Sequence, residues 1–183
     1  MHLRVFSFLL CLTVMILHYG QGVKGHCRRR WVKMNSHAVC FGARGNKYGS
    51  FHNYAKQGMV AAIKLVYLRG YIRCDNNAVH NSRWGCGRHR GLAKIPLNVI
   101  GTDQNNHVLF PRKELWRWST KWYNLPFADT IYSRELVFTD YAHPFYFPLY
   151  KQMRIWYGED LSNLSESDNH GRVCVNVYAK FID

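Results

Sequence analysis

Apolar and polar residues alternate most regularly near the end of the chain, where the apolar positions are Val173, Val175, Val177, Ala179 and Phe181. A period of two is typical of a strand that turns one face toward a core and the other toward solvent. The pattern therefore predicts a strand at the end of the chain.

Earlier segments rich in β-branched and aromatic residues also favour strands. They are residues 60–74, 95–100, 107–110, 135–139, 144–150 and 152–157. In the first segment, Ala61 and Ala62 leave a helix as the alternative. In the second, Pro96 favours an edge position or the start of a strand, and residues 101–103 are expected to close it with a turn. The tryptophan-rich segment 115–123 fits either a strand or an aromatic surface loop.

Turn-forming residues separate these segments at intervals of about 8 to 12 residues, which is typical of antiparallel β domains. The strands do not alternate with helical segments, so a parallel sheet with a nucleotide-binding crevice is not expected. We therefore predict an all-β fold, built as an antiparallel β-sandwich or jelly-roll-like single domain.

The chain begins with a short basic segment and an apolar run at residues 5–17, which small residues around Gly20 and Gly22 follow. These features are typical of a signal peptide cleaved after Gly22. An uncleaved anchor is the alternative, but the run is shorter than the roughly 20 residues that cross a bilayer. We predict a signal peptide over residues 1–22, a single extracellular β domain with a basic N-terminal arm over residues 23–183, and no membrane span after cleavage.

Export into an oxidising compartment favours disulfides among the cysteines that follow the leader. These are Cys27, Cys40, Cys74, Cys86 and Cys174, an odd number. The simplest local loops pair Cys27 with Cys40 and Cys74 with Cys86, although five cysteines allow other pairings. Cys174 is then left over, and its place in a predicted strand favours a buried thiol over an intermolecular bridge.

The chain carries a formal net charge of +14, to which the leader contributes only Arg4. Such an excess favours anionic partners, which for a secreted protein are sulfated glycans or acidic matrix proteins rather than nucleic acid. Arginine forks fit sulfate oxygens, and neighbouring tryptophans stack on sugar rings. The candidate residues are Arg28, Arg29, Arg30, Lys33, Arg88 and Arg90. A flexible basic arm and a solvated loop without a target are the alternative.

Acidic residues concentrate in the connection between the last two predicted strands, although the chain has only 11 of them. Calcium prefers several oxygen ligands, and this connection supplies them. The candidate ligands are Glu159, Asp160, Glu166, Asp168 and Asn169. Their spacing does not match an EF-hand. The alternative is an acidic turn loop whose side chains cap turns and pair electrostatically with the surrounding basic residues. No cofactor other than calcium is expected.

The same connection contains Asn163-Leu164-Ser165, the only N-x-Ser/Thr match after the leader. This predicts a glycan at Asn163, on an exposed loop.

Aromatic residues cluster in the segment 115–123, with basic residues between them. Trp116, Trp118, Trp122 and Tyr123 fit a platform on which a carbohydrate ring stacks. Core and sheet-face packing of a β domain is the alternative.

Catalytic motifs are absent from the sequence. The histidines are scattered without an H-E-x-x-H motif, and the chain has no G-x-S-x-G elbow or P-loop. The Trp84-Gly85-Cys86-Gly87 segment fits a disulfide in a glycine-rich loop better than a thiol nucleophile. We therefore do not expect an enzyme.

The segments MRIWYGEDL (153–161) and ESDNHGRVCVNVYA (166–179), with ELVF (135–138) upstream, resemble secreted modules of cnidarians and other marine invertebrates, including coral skeletal organic matrix proteins. The resemblance covers mainly the last third of the chain and implies an extracellular, matrix-associated domain without known enzymatic activity. Mineral-templating proteins are typically acidic, so the basic charge favours adhesion to acidic matrix components over nucleation of calcium carbonate.

The sequence therefore predicts a secreted, matrix- or skeletal-matrix-associated protein that binds anionic matrix components or glycans. A calcium-dependent lectin-like module is the first alternative. A secreted toxin or defence protein, supported only by basic charge and cysteines, is the second.

Overall fold

The computed structural model describes residues 30–182, so the predicted signal peptide, Cys27, Arg28 and Arg29 lie outside the described residues. The strands in this part are β1 (Val32–Lys33), β2 (Val39–Gly42), β3 (Gly49–His52), β4 (Gly58–Arg73), β5 (Val99–Asp103), β6 (Val108–Phe110), β7 (Glu135–Thr139), β8 (Phe145–Phe147), β9 (Gln152–Tyr157) and β10 (His170–Phe181). Short 3₁₀ helices span Ala78–His80, Arg90–Leu92 and Lys113–Leu115, and the α-helix α1 spans Gly158–Ser162.

The first sheet is organised around the two longest strands, β4 and β10. They pair antiparallel over nearly their whole length, from His170 opposite Arg73 to Phe181 opposite Val60. Strands β1 and β2 pair with the free edge of β10, while β7 and β8 pair with the free edge of β4. One face of β10 is buried in the core, as the alternation of apolar residues predicts.

The second sheet has four antiparallel strands in the order β3-β9-β5-β6. Both sheets contribute to one apolar core, in which Phe110 of β6 packs against Phe138 of β7 with ring centroids 4.8 Å apart. Phe51 of β3 meets Phe147 of β8 edge to face. The fold is all-β and sandwich-like, so the predicted fold class is confirmed. No helix among residues 30–182 has the length and apolar character needed to cross a bilayer.

The strand predictions are confirmed for β4, β6, β7, β9 and β10 and need correction elsewhere. The strand predicted over residues 95–100 begins only at Val99 and continues through Asp103, where the sequence predicts a turn. Residues just before Val99 pair with loops instead, since the backbone N–H of Asn98 donates to the carbonyl of Trp84.

Two further segments differ from the sequence prediction, and the tryptophan-rich segment takes one of its two predicted forms. Residues 144–150 contain only the three-residue β8, because Pro148 has no backbone N–H to donate and Tyr150 has a left-handed backbone with φ of 64°. Residues 115–123 form a loop rather than a strand. Helix α1 lies in the acidic connection, for which the sequence indicates only a turn.

One of the two predicted disulfides is confirmed and the other is wrong. Cys74 is bonded to Cys86, as predicted, but Cys40 is bonded to Cys174 and not to Cys27. The predicted free thiol at Cys174 is therefore wrong. The physical reason is strand pairing, since β2 lies antiparallel to β10 and places Cys40 directly opposite Cys174. Spacing along the chain cannot reveal a partner 134 residues away.

The two disulfides should differ in how much they stabilise the fold. The Cys40–Cys174 bond spans 134 residues and the Cys74–Cys86 bond spans 12. In the chain-entropy model a longer loop gives the larger effect, about 5 kcal/mol against about 3 kcal/mol. We expect the double variant Cys40→Ser/Cys174→Ser to lose more unfolding free energy in urea than Cys74→Ser/Cys86→Ser. Equal losses would contradict this.

Candidate functional site

The tryptophan-rich segment forms a loop that presents one indole to solvent. Backbone hydrogen bonds join Arg117 and Trp122 in both directions, at 2.7 and 3.2 Å, and close the loop at its base. At its tip Trp118 is 64% exposed and has a φ of 58°. A bulky residue in the left-handed region costs about 1–3 kcal/mol and is commonest at functional sites.

The other aromatic residues of this segment are divided between core and surface. Trp122 and Tyr123 are buried, and the Tyr123 hydroxyl donates to the carbonyl of Val99 at 2.6 Å. Trp116 is half-buried, with the Lys121 ammonium 5.5 Å from its ring centroid. Trp122 and Tyr123 therefore pack in the core, which is the alternative to a carbohydrate platform. Only Trp118 presents a largely exposed ring.

A buried asparagine joins this loop to helix α1. The Asn98 side chain donates to the carbonyl of Thr120 at 2.9 Å and accepts from the backbone N–H of Glu159 at 3.0 Å. Gly158 is required at this joint, because a Cβ there would lie 2.8 Å from the Asn98 amide nitrogen and 3.0 Å from the Thr120 carbonyl oxygen. The joint fixes the acidic connection beside the tryptophan loop.

Glu159 is held inside the protein by two side-chain donors. The Trp122 indole donates to it at 3.0 Å and the Asn169 amide at 2.9 Å. Burial nevertheless raises the pKa of the Glu159 carboxyl to about 7, because the lost hydration outweighs these two bonds. Asp168 and Glu166 add to the rise through their negative charges.

Asp160 and Glu166 fasten the acidic connection to the turn between β2 and β3. The Asp160 carboxylate accepts from the backbone N–H groups of Asn46 and Lys47, at 2.6 and 2.9 Å, and Glu166 accepts from that of Gly45 at 2.9 Å. Burial raises the pKa of Asp160 to about 6, and the neighbouring Glu166 side chain contributes to the rise. Both carboxylates therefore have structural partners.

Asp168 differs from the other acidic residues of the connection. It is half-buried, and among residues 30–182 it has neither a hydrogen bond nor an ion pair. It lines a concave surface of about 350 Å³, which we call the Trp118 pocket. The principal lining residues are His89, Trp118, Thr120, Glu159, Ser165 and Asp168. The pocket thus combines an exposed indole with an unengaged carboxylate.

Two buried polar atoms in this region lack a hydrogen-bond partner within the described part of the chain. They are Nδ1 of His89 and Oδ1 of Asn169. The Asn169 amide nitrogen is engaged, donating to Glu159 and to the carbonyl of Ala43. A buried polar atom without a partner is uncommon and indicates a site for water or a ligand.

Ligand atoms of Cys74, Asp75 and His89 lie within 4.8 Å of one another, the spacing of a metal site. Cys74 is bonded to Cys86 and has no thiolate to offer. The predicted calcium ligands do not form such a three-residue group among residues 30–182. Their binding of calcium stays a prediction.

The predicted basic residues do not form one patch in the part that the structure describes. Arg30 and Lys33 lie exposed at the start of this part. Arg88 and Arg90 flank His89, and Arg90 begins the 3₁₀ helix Arg90–Leu92. Arg88 and Arg90 line a second concave surface. Polyanion binding by the whole set stays a prediction.

Asn163 is exposed and ends α1 in the left-handed conformation, with φ of 52°. Its glycan stays a prediction, and it would stand two residues from Ser165 at the rim of the Trp118 pocket.

Three residues of the Trp118 pocket are not predicted as site residues from the sequence: His89, Thr120 and Ser165. Thr120 and Ser165 are ordinary turn residues in sequence, and contacts between distant segments, including the Asn98 joint, bring them together. Among the three, only His89 has a sequence feature that could have indicated a site, because it stands between the candidate residues Arg88 and Arg90.

The fold is similar to that of AJLec from the sea anemone Anthopleura japonica, with a TM-score of 0.78. The two chains are 37% identical, and the match covers 84% of this chain and 98% of AJLec. This chain belongs to the same family as AJLec. The cnidarian part of the predicted resemblance is thereby supported. No family model and no curated protein matches the sequence.

The buried carboxyl of Glu159 should make stability depend on pH. Its pKa of about 7 exceeds the ordinary value of 4.5, so the folded protein retains a proton that the unfolded chain releases. The stability from this proton is full below the unfolded pKa and is lost as pH rises through the folded pKa. We expect the wild-type Tm to fall relative to that of Glu159→Gln between about pH 5 and about pH 8. A Tm difference that does not change over this range would contradict the assignment.

Proposed function

We propose that this chain is a secreted carbohydrate-binding protein of lectin type, and that it binds sugar in the Trp118 pocket. The observation that carries the proposal is the pairing of an exposed Trp118 ring with the unengaged Asp168 carboxylate in one pocket. The name of its relative AJLec is that of a lectin, which supports the same class.

The chemistry of the pocket suits a sugar ring. One face of a pyranose is apolar and stacks on an aromatic ring, while its hydroxyls donate to carboxylates. Asp168 accepts without first breaking a bond inside the protein, and Thr120 and Ser165 offer further polar groups. Because Lys121 donates to Ser119 and to Ser162 of α1, at 3.1 and 2.6 Å, the loop that carries Trp118 is held before ligand arrives. Such preorganisation lowers the entropic cost of binding.

An extracellular setting fits the two disulfides, the predicted leader and the sea anemone relative. Within it, acidic matrix proteins and sulfated glycans are further candidate partners, supported by the net charge of +14. A skeletal-matrix role rests on the sequence resemblance alone. The proposal includes no catalytic step.

Replacing Trp118 by Ala should weaken binding to a glycan identified on an array by about tenfold or more, since an aromatic contact of about 1.5 kcal/mol corresponds to roughly that factor. Asp168→Asn should weaken it as well. Tyr54→Ala serves as the matched control, because Tyr54 is 72% exposed and lies outside the pocket. Isothermal titration calorimetry measures all three. Unchanged affinity in Trp118→Ala would refute the assigned pocket.

A calcium-dependent form of this function is the second candidate, favoured by the unpartnered Oδ1 of Asn169. Calcium takes six to eight oxygen ligands, and Glu159, Asp160 and Glu166 already accept hydrogen bonds from the protein. Asp168 and Asn169 supply unengaged oxygens, so water and sugar hydroxyls would have to complete the shell. Any calcium site here would therefore strengthen in the presence of sugar.

Excess calcium should raise the Tm of the sugar-bound protein above that of an EDTA-treated sample, because a ligand that binds only the folded state stabilises it. Asp168→Asn should remove this increase, and magnesium at the same concentration serves as the control. Equal Tm values with calcium and with EDTA would contradict calcium dependence while leaving sugar binding intact.

A further inference from the structure

A second concave surface adjoins the Trp118 pocket and has the opposite charge. It encloses about 450 Å³, and we call it the Arg90 pocket. Its lining includes Cys86, Arg88, His89, Arg90, Asp129 and Thr130. His89 lines both pockets, while the Cys74–Cys86 disulfide contributes Cys74 to the Trp118 pocket and Cys86 to the Arg90 pocket. The two pockets are therefore adjacent, separated by His89 and the Cys74–Cys86 disulfide.

The cationic groups of the Arg90 pocket are available to a ligand. The Arg90 side chain is exposed and has no hydrogen-bond or ion-pair partner among residues 30–182. Arg88 is exposed and commits one guanidinium nitrogen to the Tyr132 hydroxyl at 3.1 Å. Its other guanidinium N–H groups have no partner in the described part of the chain. Its left-handed backbone, with φ of 56°, indicates that the loop holds it in a strained conformation.

The single carboxylate in the lining does not neutralise these arginines. Asp129 Oδ1 accepts from the backbone N–H groups of Ile131 and Tyr132, at 2.8 and 2.6 Å, and so closes its own turn. Two arginines beside an internally bonded carboxylate leave a net positive pocket. Guanidinium groups bind the oxygens of sulfate and carboxylate in pairs.

We infer that the glycan ligand is anionic, with a sugar ring in the Trp118 pocket and a sulfate group on Arg88 and Arg90 in the Arg90 pocket. The inference rests on the proposed function and deepens it. The acidic residues of the first pocket disfavour an anion there, whereas the second pocket favours one. A linear glycan that passes over His89 could place a neutral sugar ring in the Trp118 pocket and its anionic group in the Arg90 pocket.

The test uses the full mature protein on an array of glycan pairs that differ only in sulfation, with polyglutamate as an acidic protein probe. We expect sulfated members to bind at least about tenfold more tightly than their unsulfated counterparts. Arg88→Gln/Arg90→Gln should abolish this preference and leave unsulfated binding unchanged. Trp118→Ala should weaken both members of a pair. Arg69→Gln/Arg172→Gln removes equal charge from exposed positions outside both pockets and should preserve the preference.

The outcomes separate this inference from the proposed function. Equal binding of sulfated and unsulfated members would overturn the inference and leave sugar binding standing. A sulfate preference that survives Arg88→Gln/Arg90→Gln, or that Arg69→Gln/Arg172→Gln reduces equally, would assign the effect to overall charge and overturn it as well. Binding to polyglutamate with no glycan bound would overturn both the inference and the proposed function.

Discussion

The candidate site depends on one buried asparagine. Asn98 is inaccessible to solvent, and its amide and carbonyl groups join segments that are far apart in sequence, at Thr120, Gly158 and Glu159. Each buried polar group left without its hydrogen-bond partner would lower the stability of the fold by about 1–3 kcal/mol. These bonds therefore strongly favour the observed arrangement of the three segments. Together with the bonds from Trp122 to Glu159 and from Lys121 to Ser162, it anchors the loop that carries Trp118 to the connection that carries Asp168. The position of the Trp118 pocket is therefore set by a buried residue of the protein interior.

A chain with a large positive charge nonetheless concentrates its acidic residues at this site. Glu159 and Asp160 are buried at a cost that raises their pKa values, and structural hydrogen bonds repay part of that cost. Asp168 is left unengaged by the same arrangement. The acidic connection therefore has two roles: it fastens α1 to the neighbouring turn, and it presents one free carboxylate. Arg88 and Arg90 lie on the other side of His89, so these two guanidinium groups and the Asp168 carboxylate line different pockets.

The sequence indicated the sandwich-like fold, because alternation in β10 and the apolar runs of β4, β7 and β9 are local properties. It indicated Trp118 and Asp168 only as members of larger sets. Trp122 and Tyr123 have the same chemical character as Trp118, and their burial follows from tertiary packing. The Cys40–Cys174 bond and the meeting of both pockets at His89 arise from contacts between distant segments, which residue spacing does not encode.

The most direct test of the central claim is an NMR titration that follows the indole N–H signals as an array-identified glycan is added. Trp118 is 64% exposed, whereas Trp84 is fully buried with its indole donating to the carbonyl of Ser133. Binding in the Trp118 pocket should shift the Trp118 signal in proportion to saturation and leave the Trp84 signal unchanged. A saturable interaction that leaves Trp118 unperturbed would contradict the account.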